Sequence, residues 1–150
     1  MDADVIVVGA GPAGSWLAYN LARKGVKVLI LEKESWPRYK ACGGAVSRKT
    51  LNILKKGNIT LPEYVIKNVV DNFVFRFDFQ KSFSYHYKNE GISLVKREKF
   101  DDSLLNYACR EGAIFRSRQE VNEIEILENK VKVKAGNKLY QGKIIVGADG

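Results

Sequence analysis

Near its start, an apolar β-branched run from Val5 to Val8 breaks at Gly9-Ala10-Gly11-Pro12-Ala13-Gly14, and a helical pattern begins at once. That is G-x-G-x-x-G placed directly after a strand and opening a helix, the setting in which the pattern carries meaning. Leu17, Ala18, Leu21 and Ala22 then recur at helical spacing, Gly25 ends the helix, and a second apolar run follows from Val26 to Leu31. One βαβ unit therefore fills residues 4 to 31. Its runs are of the kind found inside a parallel sheet covered on both faces.

Each glycine has its own physical reason. Gly9 permits the tight turn, Gly11 removes the side chain that would hold the backbone away from a pyrophosphate, and Gly14 lets the helix pack close to the strand. Pro12 and Ala13 complete the turn, and a diphosphate would lie on the helix N-terminus, where free N–H groups and the positive end of the dipole favour negative charge. Glu32 stands 18 residues after Gly14, at the end of the second run, where its carboxylate can accept hydrogen bonds from both ribose hydroxyls of an adenosine half. An acid there repels a 2′-phosphate, which favours FAD or NAD over NADP. Spacing alone does not separate the first two.

Beyond Leu31 the chain carries shorter patterns. Ser47 caps a short helix with Leu51 and Leu54 on its apolar face, ending near Gly57. From Val69 to Tyr87 the period changes to two, with Phe73, Phe75, Phe77 and Phe79 on one side and Phe83, Tyr85 and Tyr87 continuing after Gln80 and Lys81, an aromatic hairpin. A helix follows over Arg97 to Arg110, with Phe100, Leu104 and Ala108 on one face and Gly112 closing it. Glu120–Leu127, Lys130–Lys134 and Lys138–Tyr140 read as a small antiparallel meander, and Ile144–Val146 as a last buried strand ending in Gly147-Ala148-Asp149-Gly150.

At 150 residues, 45% hydrophobic and 28% charged, the chain has the size and mixture of one soluble folded domain. Its net charge of +8 suits an anionic partner without naming one. Cys42 and Cys109 fit neither a metal knuckle nor a disulfide framework, and the acids are scattered, so no metal site is expected and a reducing cytoplasm is the simplest location. No secretory leader is visible and no apolar run is long enough to span a bilayer, so any membrane contact is peripheral. Nucleic-acid binding is the rival explanation of the charge, but it leaves the glycine turn and Glu32 unexplained.

Three further segments resemble one flavoprotein superfamily, that of the aromatic hydroxylases and geranylgeranyl reductases. Lys40-Ala41-Cys42-Gly43-Gly44-Ala45 resembles the K-x-C-G-G segment of the reductase branch, Arg97-Glu98-Lys99-Phe100-Asp101 resembles the superfamily's R-x-x-F-D helix start, and Gly147-Ala148-Asp149-Gly150 resembles its G-A-D-G strand end. The similarity runs over essentially the whole chain. It implies FAD as cofactor, with the arginine against the flavin side and the aspartate at the ribityl or diphosphate region. The implied fold class is α/β: a Rossmann-type FAD-binding domain with a parallel sheet, a small antiparallel meander, and an aromatic hairpin, inserted over 62–95, that belongs to an incomplete substrate domain.

The cofactor-binding set expected on this basis is Gly9, Gly11, Pro12, Ala13, Gly14, Glu32, Lys33, Cys42, Gly43, Gly44, Arg97, Val121, Asp149 and Gly150, and Cys42 is also the catalytic candidate. The implied activity is reduction of carbon–carbon double bonds in geranylgeranyl chains of lipid precursors, with a polyprenyl lipid as substrate and NAD(P)H or a ferredoxin-like protein as electron donor. A flavin monooxygenase acting on aromatic rings and a noncatalytic FAD-binding fragment are the alternatives. In the family a further helix and the rest of the substrate domain follow G-A-D-G, so these 150 residues alone are expected to be inactive. Plainer readings by packing or solvation stand beside these. Cys42 can be a small residue packed beside two glycines, Cys109 lies on a helix face, and His86 falls on the polar side of the hairpin with Ser82 and Ser84. Arg38, Lys40, Arg48, Lys49, Lys55 and Lys56, with no acid between Pro37 and Pro62, are either a solvated face or an attraction for phosphates or anionic head groups.

Overall fold

The computed structural model describes residues 1–79, 81–87 and 91–150. The chain divides into two compact units, 1–38 with 101–150, and 39–100.

The first unit is built on a four-stranded parallel sheet. Strand β1 (Val5–Val8) lies between β2 (Val28–Leu31) and β12 (Ile144–Gly147), and β8 (Ile114–Arg116) extends the sheet beyond β2. The second apolar run enters the sheet only at Val28, two residues later than its composition suggests; Lys27 N–H is instead held by the Asp4 carboxylate at 3.1 Å. Every residue of β2 is buried, as a strand covered on both faces must be. On one face Ile6, Leu29 and Leu31 join Val131, Val133 and Ala135 of the meander formed by β9 (Val121–Leu127), β10 (Lys130–Ala135) and β11 (Lys138–Gly142). Against the strands packs α1 (Pro12–Ala22), which buries Ala18 and Ala22 as its spacing indicates and also Ser15 and Tyr19, whose place the apolar pattern misses.

The second unit contains α2 (Arg48–Lys56), capped by Ser47 Oγ accepting from Thr50 N–H at 3.2 Å, and two small sheets. One has the order β3 (Ala45–Val46), β7 (Ile92–Val95), β4 (Ile66–Val70) and is antiparallel throughout. The other is the aromatic hairpin, β5 (Asn72–Phe77) paired with β6 (Lys81–His86). Phe79 is not on the strand: pairing ends at Phe77 opposite Lys81, and Asp78 and Phe79 sit in the connection with φ of +51°. Gln80 and residues 88–90, which the hairpin expectation also spans, lie outside the described residues. Helix α3 (Arg97–Arg110) begins in this unit and continues into the first, with Phe100, Leu104 and Ala108 buried on one face. Among the described residues no helix is long and apolar enough to cross a membrane.

Candidate functional site

The turn between β1 and α1 is held from both sides by main chain. Gly9 N–H donates to Leu31 C=O at 2.7 Å and Ala148 N–H donates to Val8 C=O at 2.8 Å, fixing the turn between the ends of β2 and β12. Gly9 has φ +101°, and a Cβ built there would lie 2.5 Å from the Ala148 carbonyl oxygen and 2.8 Å from Asp149 Cα. The Asp149 segment is therefore brought against the first glycine. Gly14 is required for a different reason: its Cβ would overlap the Gly9 carbonyl oxygen and approach Val7 Cγ1 to 3.2 Å. Gly11, with φ −68°, is conformationally ordinary, and its Cβ would meet a single group, Arg38 Nη2 at 3.4 Å. Its missing side chain opens space beside the turn. Pro12 fills the first helical position and the first turn of α1 contains no acid, so its N-terminal N–H groups are open to an anion without competition from a side-chain carboxylate.

Glu32 closes the site from the second strand. It is buried, its main chain is fixed by Glu32 N–H to Arg116 C=O at 2.9 Å and Gln119 N–H to Glu32 C=O at 2.8 Å, and both carboxylate oxygens accept from main chain. Ala10 N–H donates to Oε2 at 3.0 Å and Glu34 N–H to Oε1 at 3.1 Å. A carboxylate has about four acceptor directions, so these contacts aim the group at the glycine turn and leave capacity for two ribose hydroxyls. A buried carboxylate, an open glycine and an acid-free helix start together fit the adenosine diphosphate half of a dinucleotide.

Two residues that the sequence offers only as members of a charge run and a helix motif complete the arrangement. Arg38 is 12% exposed and Asp101, at the start of α3, is fully buried. Arg38 Nη1 lies 3.0 Å from Asp101 Oδ2, close enough for an ion pair yet off the hydrogen-bonding axis, and its Nε lies 3.7 Å from Glu32 Oε2. Below the guanidinium is the Trp36 ring at 5.4 Å, itself anchored by its indole N–H donating to Asp102 Oδ1 at 2.8 Å. Arg38 is thus a fixed cation beside Gly11. The available signal was Asp101 itself, an acid one position from Phe100 and three and four before Leu104 and Leu105, which a buried helix face tolerates only with a cation.

In the other unit, β3 pairs with β7, Ala45 opposite Leu94 and Val46 opposite Ser93, and Val95 N–H donates to Gly44 C=O at 2.8 Å. A Cβ on Gly44, at φ +69°, would overlap the Val95 carbonyl oxygen. The Cys42-Gly43-Gly44 segment and the one leading into Arg97 are therefore joined. Cys42 is exposed, and its sulfur lies beside the second glycine of the segment, accepting from Gly44 N–H at 3.4 Å. Lys33 is exposed next to Glu32, as are Asp149 and Gly150 after β12. Val121 packs onto the core of Ala3, Ile6 and Val133, two residues beyond the Gln119 that binds the Glu32 carbonyl. Cys109 is half-buried on α3, where burial and then the nearby Asp102 charge push its thiol pKa up. No group of three potential metal ligands occurs among the described residues.

Comparison with known proteins is consistent with this geometry. The profile of the family described as FAD binding domain matches residues 2–150. An uncharacterized protein of Methanosarcina barkeri is 33% identical over 98% of the chain and 37% of its own length. A digeranylgeranylglycerophospholipid reductase of Methanothrix thermoacetophila is 30% identical over 100% of the chain and 40% of its own length. Among solved structures, a geranylgeranyl bacteriochlorophyll reductase-like protein of Thermoplasma acidophilum superposes with TM-score 0.80 at 28% identity over 99% of the chain and 39% of that protein. The halogenase PltM superposes with TM-score 0.82 at 21% identity over 100% and 35%, a likeness of fold. The chain thus spans 37 to 40% of the length of these two relatives.

Proposed function

Starting from a chain that belongs to the FAD binding domain family of FAD-dependent oxidoreductases, we propose that it is the cofactor-holding part of a reductase that saturates carbon–carbon double bonds in polyprenyl lipid chains. The carrying observation is the pairing of β3 with β7, which ties the exposed Cys42 and its two glycines to the strand that leads into Arg97. The reductase named among the relatives and the reductase-like protein among the structures support that reading.

In this reading the glycine turn and the start of α1 take the diphosphate, Glu32 takes the ribose hydroxyls, and Arg38 compensates charge beside Gly11. Asp149, set against Gly9, orients the middle of the cofactor. Bound FAD would supply a hydride to one alkene carbon, and a proton must reach the other. The exposed Cys42 thiol is the group of this chain assigned to the reacting side, and the exposed rings of the hairpin suit an apolar substrate wall. The electron donor is NAD(P)H or a ferredoxin-like protein.

The test uses the longer protein containing this chain, reduced under anaerobic conditions and mixed with a geranylgeranylated lipid. Reoxidation of the flavin with a gain of two mass units per double bond is the expected result. Unchanged lipid, together with hydroxylation of an aromatic substrate once air is admitted, would replace the proposal by a monooxygenase.

A further inference from the structure

Arg38 and Asp101 belong to the same compact unit as the glycine turn and Glu32. Asp101 is fully buried and the Arg38 side chain nearly so, which makes their surroundings a property of the packed interior and not of an open surface. The guanidinium is hemmed in. Its Nη1 is closed off from solvent 3.0 Å from Asp101 Oδ2 and has no hydrogen-bond partner, its Nε lies 3.7 Å from Glu32 Oε2, and the Trp36 ring lies 5.4 Å away. What remains is the side that Gly11 leaves free: Nη2 is the one group that a Cβ on Gly11 would meet, at 3.4 Å.

We infer that Nη2 of Arg38 donates directly to a phosphate of the dinucleotide, and that Asp101 is the positioning residue that holds it there. A guanidinium carries donors and no acceptor, and a buried one that makes no hydrogen bond is costly. A phosphate resting on the N-terminal N–H groups of α1 beside Gly11 supplies the missing acceptor through a charge-assisted bond. Net charge argues the other way, since Glu32 and Asp101 set two carboxylates beside one cation. Direct contact decides, because the Glu32 oxygens are turned onto the N–H groups of Ala10 and Glu34, and Asp101 sits at the Nη1 corner of the fork. Asp101 also keeps the cation off Glu32. Without it, the guanidinium would close the 3.7 Å gap to Oε2, turn away from Gly11, and take acceptor directions that the ribose needs.

The inference rests on the dinucleotide site and not on the reductase reading, and its probes carry neither flavin nor lipid. The longer protein containing this chain, freed of flavin, is titrated with ADP and with adenosine by calorimetry. Arg38→Met should weaken ADP by about tenfold to hundredfold and leave adenosine, which has no phosphate, within about threefold. Asp101→Asn should weaken ADP by about tenfold although it removes a negative charge, and should add nothing to the loss once Arg38 is replaced by Met. Circular dichroism reports whether each variant is folded. Should Arg38→Met unfold, Arg38→Met with Asp101→Leu removes both charges of the buried pair and should show the same loss of ADP. Unchanged ADP affinity, or tighter ADP binding by Asp101→Asn, would overturn the inference. So would equal losses for ADP and adenosine, which would make Arg38 a support of Glu32 alone. A protein that binds ADP in this way and leaves prenyl lipid unchanged would remove the reductase reading and not this one.

Discussion

Arg38 and Asp101 meet at 3.0 Å although 63 positions separate them in the chain, and the contact puts a guanidinium beside the glycine turn. Removing the cation would leave a fully buried carboxylate deprived of it, the costly half of breaking a buried pair. Arg38→Met is expected to lower unfolding free energy by about 3 kcal/mol in urea titration. A loss under about 0.5 kcal/mol, the range of an ordinary surface change, would contradict the role given to this pair.

The glycines should separate into two kinds. Gly14→Ala places a methyl against the Gly9 carbonyl oxygen and 3.2 Å from Val7 Cγ1, so the backbone must shift, with an expected cost of about 1 to 3 kcal/mol and a lower Tm. Gly11→Ala meets a side chain that can move and needs no unusual φ, so the fold should change by less than about 1 kcal/mol while FAD affinity drops. Flavin fluorescence and thermal melting measure the two effects separately, and equal melting temperatures for both variants would sink the distinction.

Thiol chemistry should single out one cysteine. Cys42 is exposed, whereas Cys109 is half-buried and its thiol is pushed up by desolvation and by Asp102, which lowers the thiolate fraction. Iodoacetamide followed by peptide mapping should find Cys42 alkylated first. Equal rates at neutral pH would argue against the described environment of Cys109.

The acid side of the stability profile should depend on Asp4. Its carboxylate binds Lys143 Nζ and accepts from Lys27 N–H, and these contacts hold its pKa below the ordinary 3.8. A pKa lower in the folded chain than in the unfolded one means stability present above about pH 4 and lost as pH falls through the folded value. The stability difference between the native chain and Asp4→Asn should be constant from about pH 5 to 8 and shrink below about pH 4. A difference that grows on acidification would reverse the sign assigned here.

The parts of the fold that sequence made visible are those whose side chains obey one period. The βαβ unit and α3 follow such patterns, and the Glu32 position follows from the glycine turn because the motif has fixed spacing. Strand β7 shows why others stayed hidden: Ser93 is buried and Leu94 only half-buried, an orientation dictated by β3 and β4 on either side rather than by hydrophobicity. Strands β3 and β8, of two and three residues, are too short to display a period at all. Arg38 was readable as charge but not as a site residue, because its function depends on a partner far along the chain. Cys42 was readable as part of a motif, but its exposure and its contact with Gly44 N–H were not, because neither follows from a period.

The pairing of Val5 with Ile144 has a consequence for how the chain acquires its shape. The second strand of the parallel sheet can join β1 early, but the flank that presses Ala148 and Asp149 against Gly9 must wait until β12, about 140 positions along the chain, reaches β1. Contacts of such high sequence separation carry a large loop-closure cost and form slowly. A ribosome-bound chain not yet extended past Asp149 would therefore hold a formed βαβ unit with an unfinished turn, and competence to take up the dinucleotide should appear only after β12 has joined the sheet.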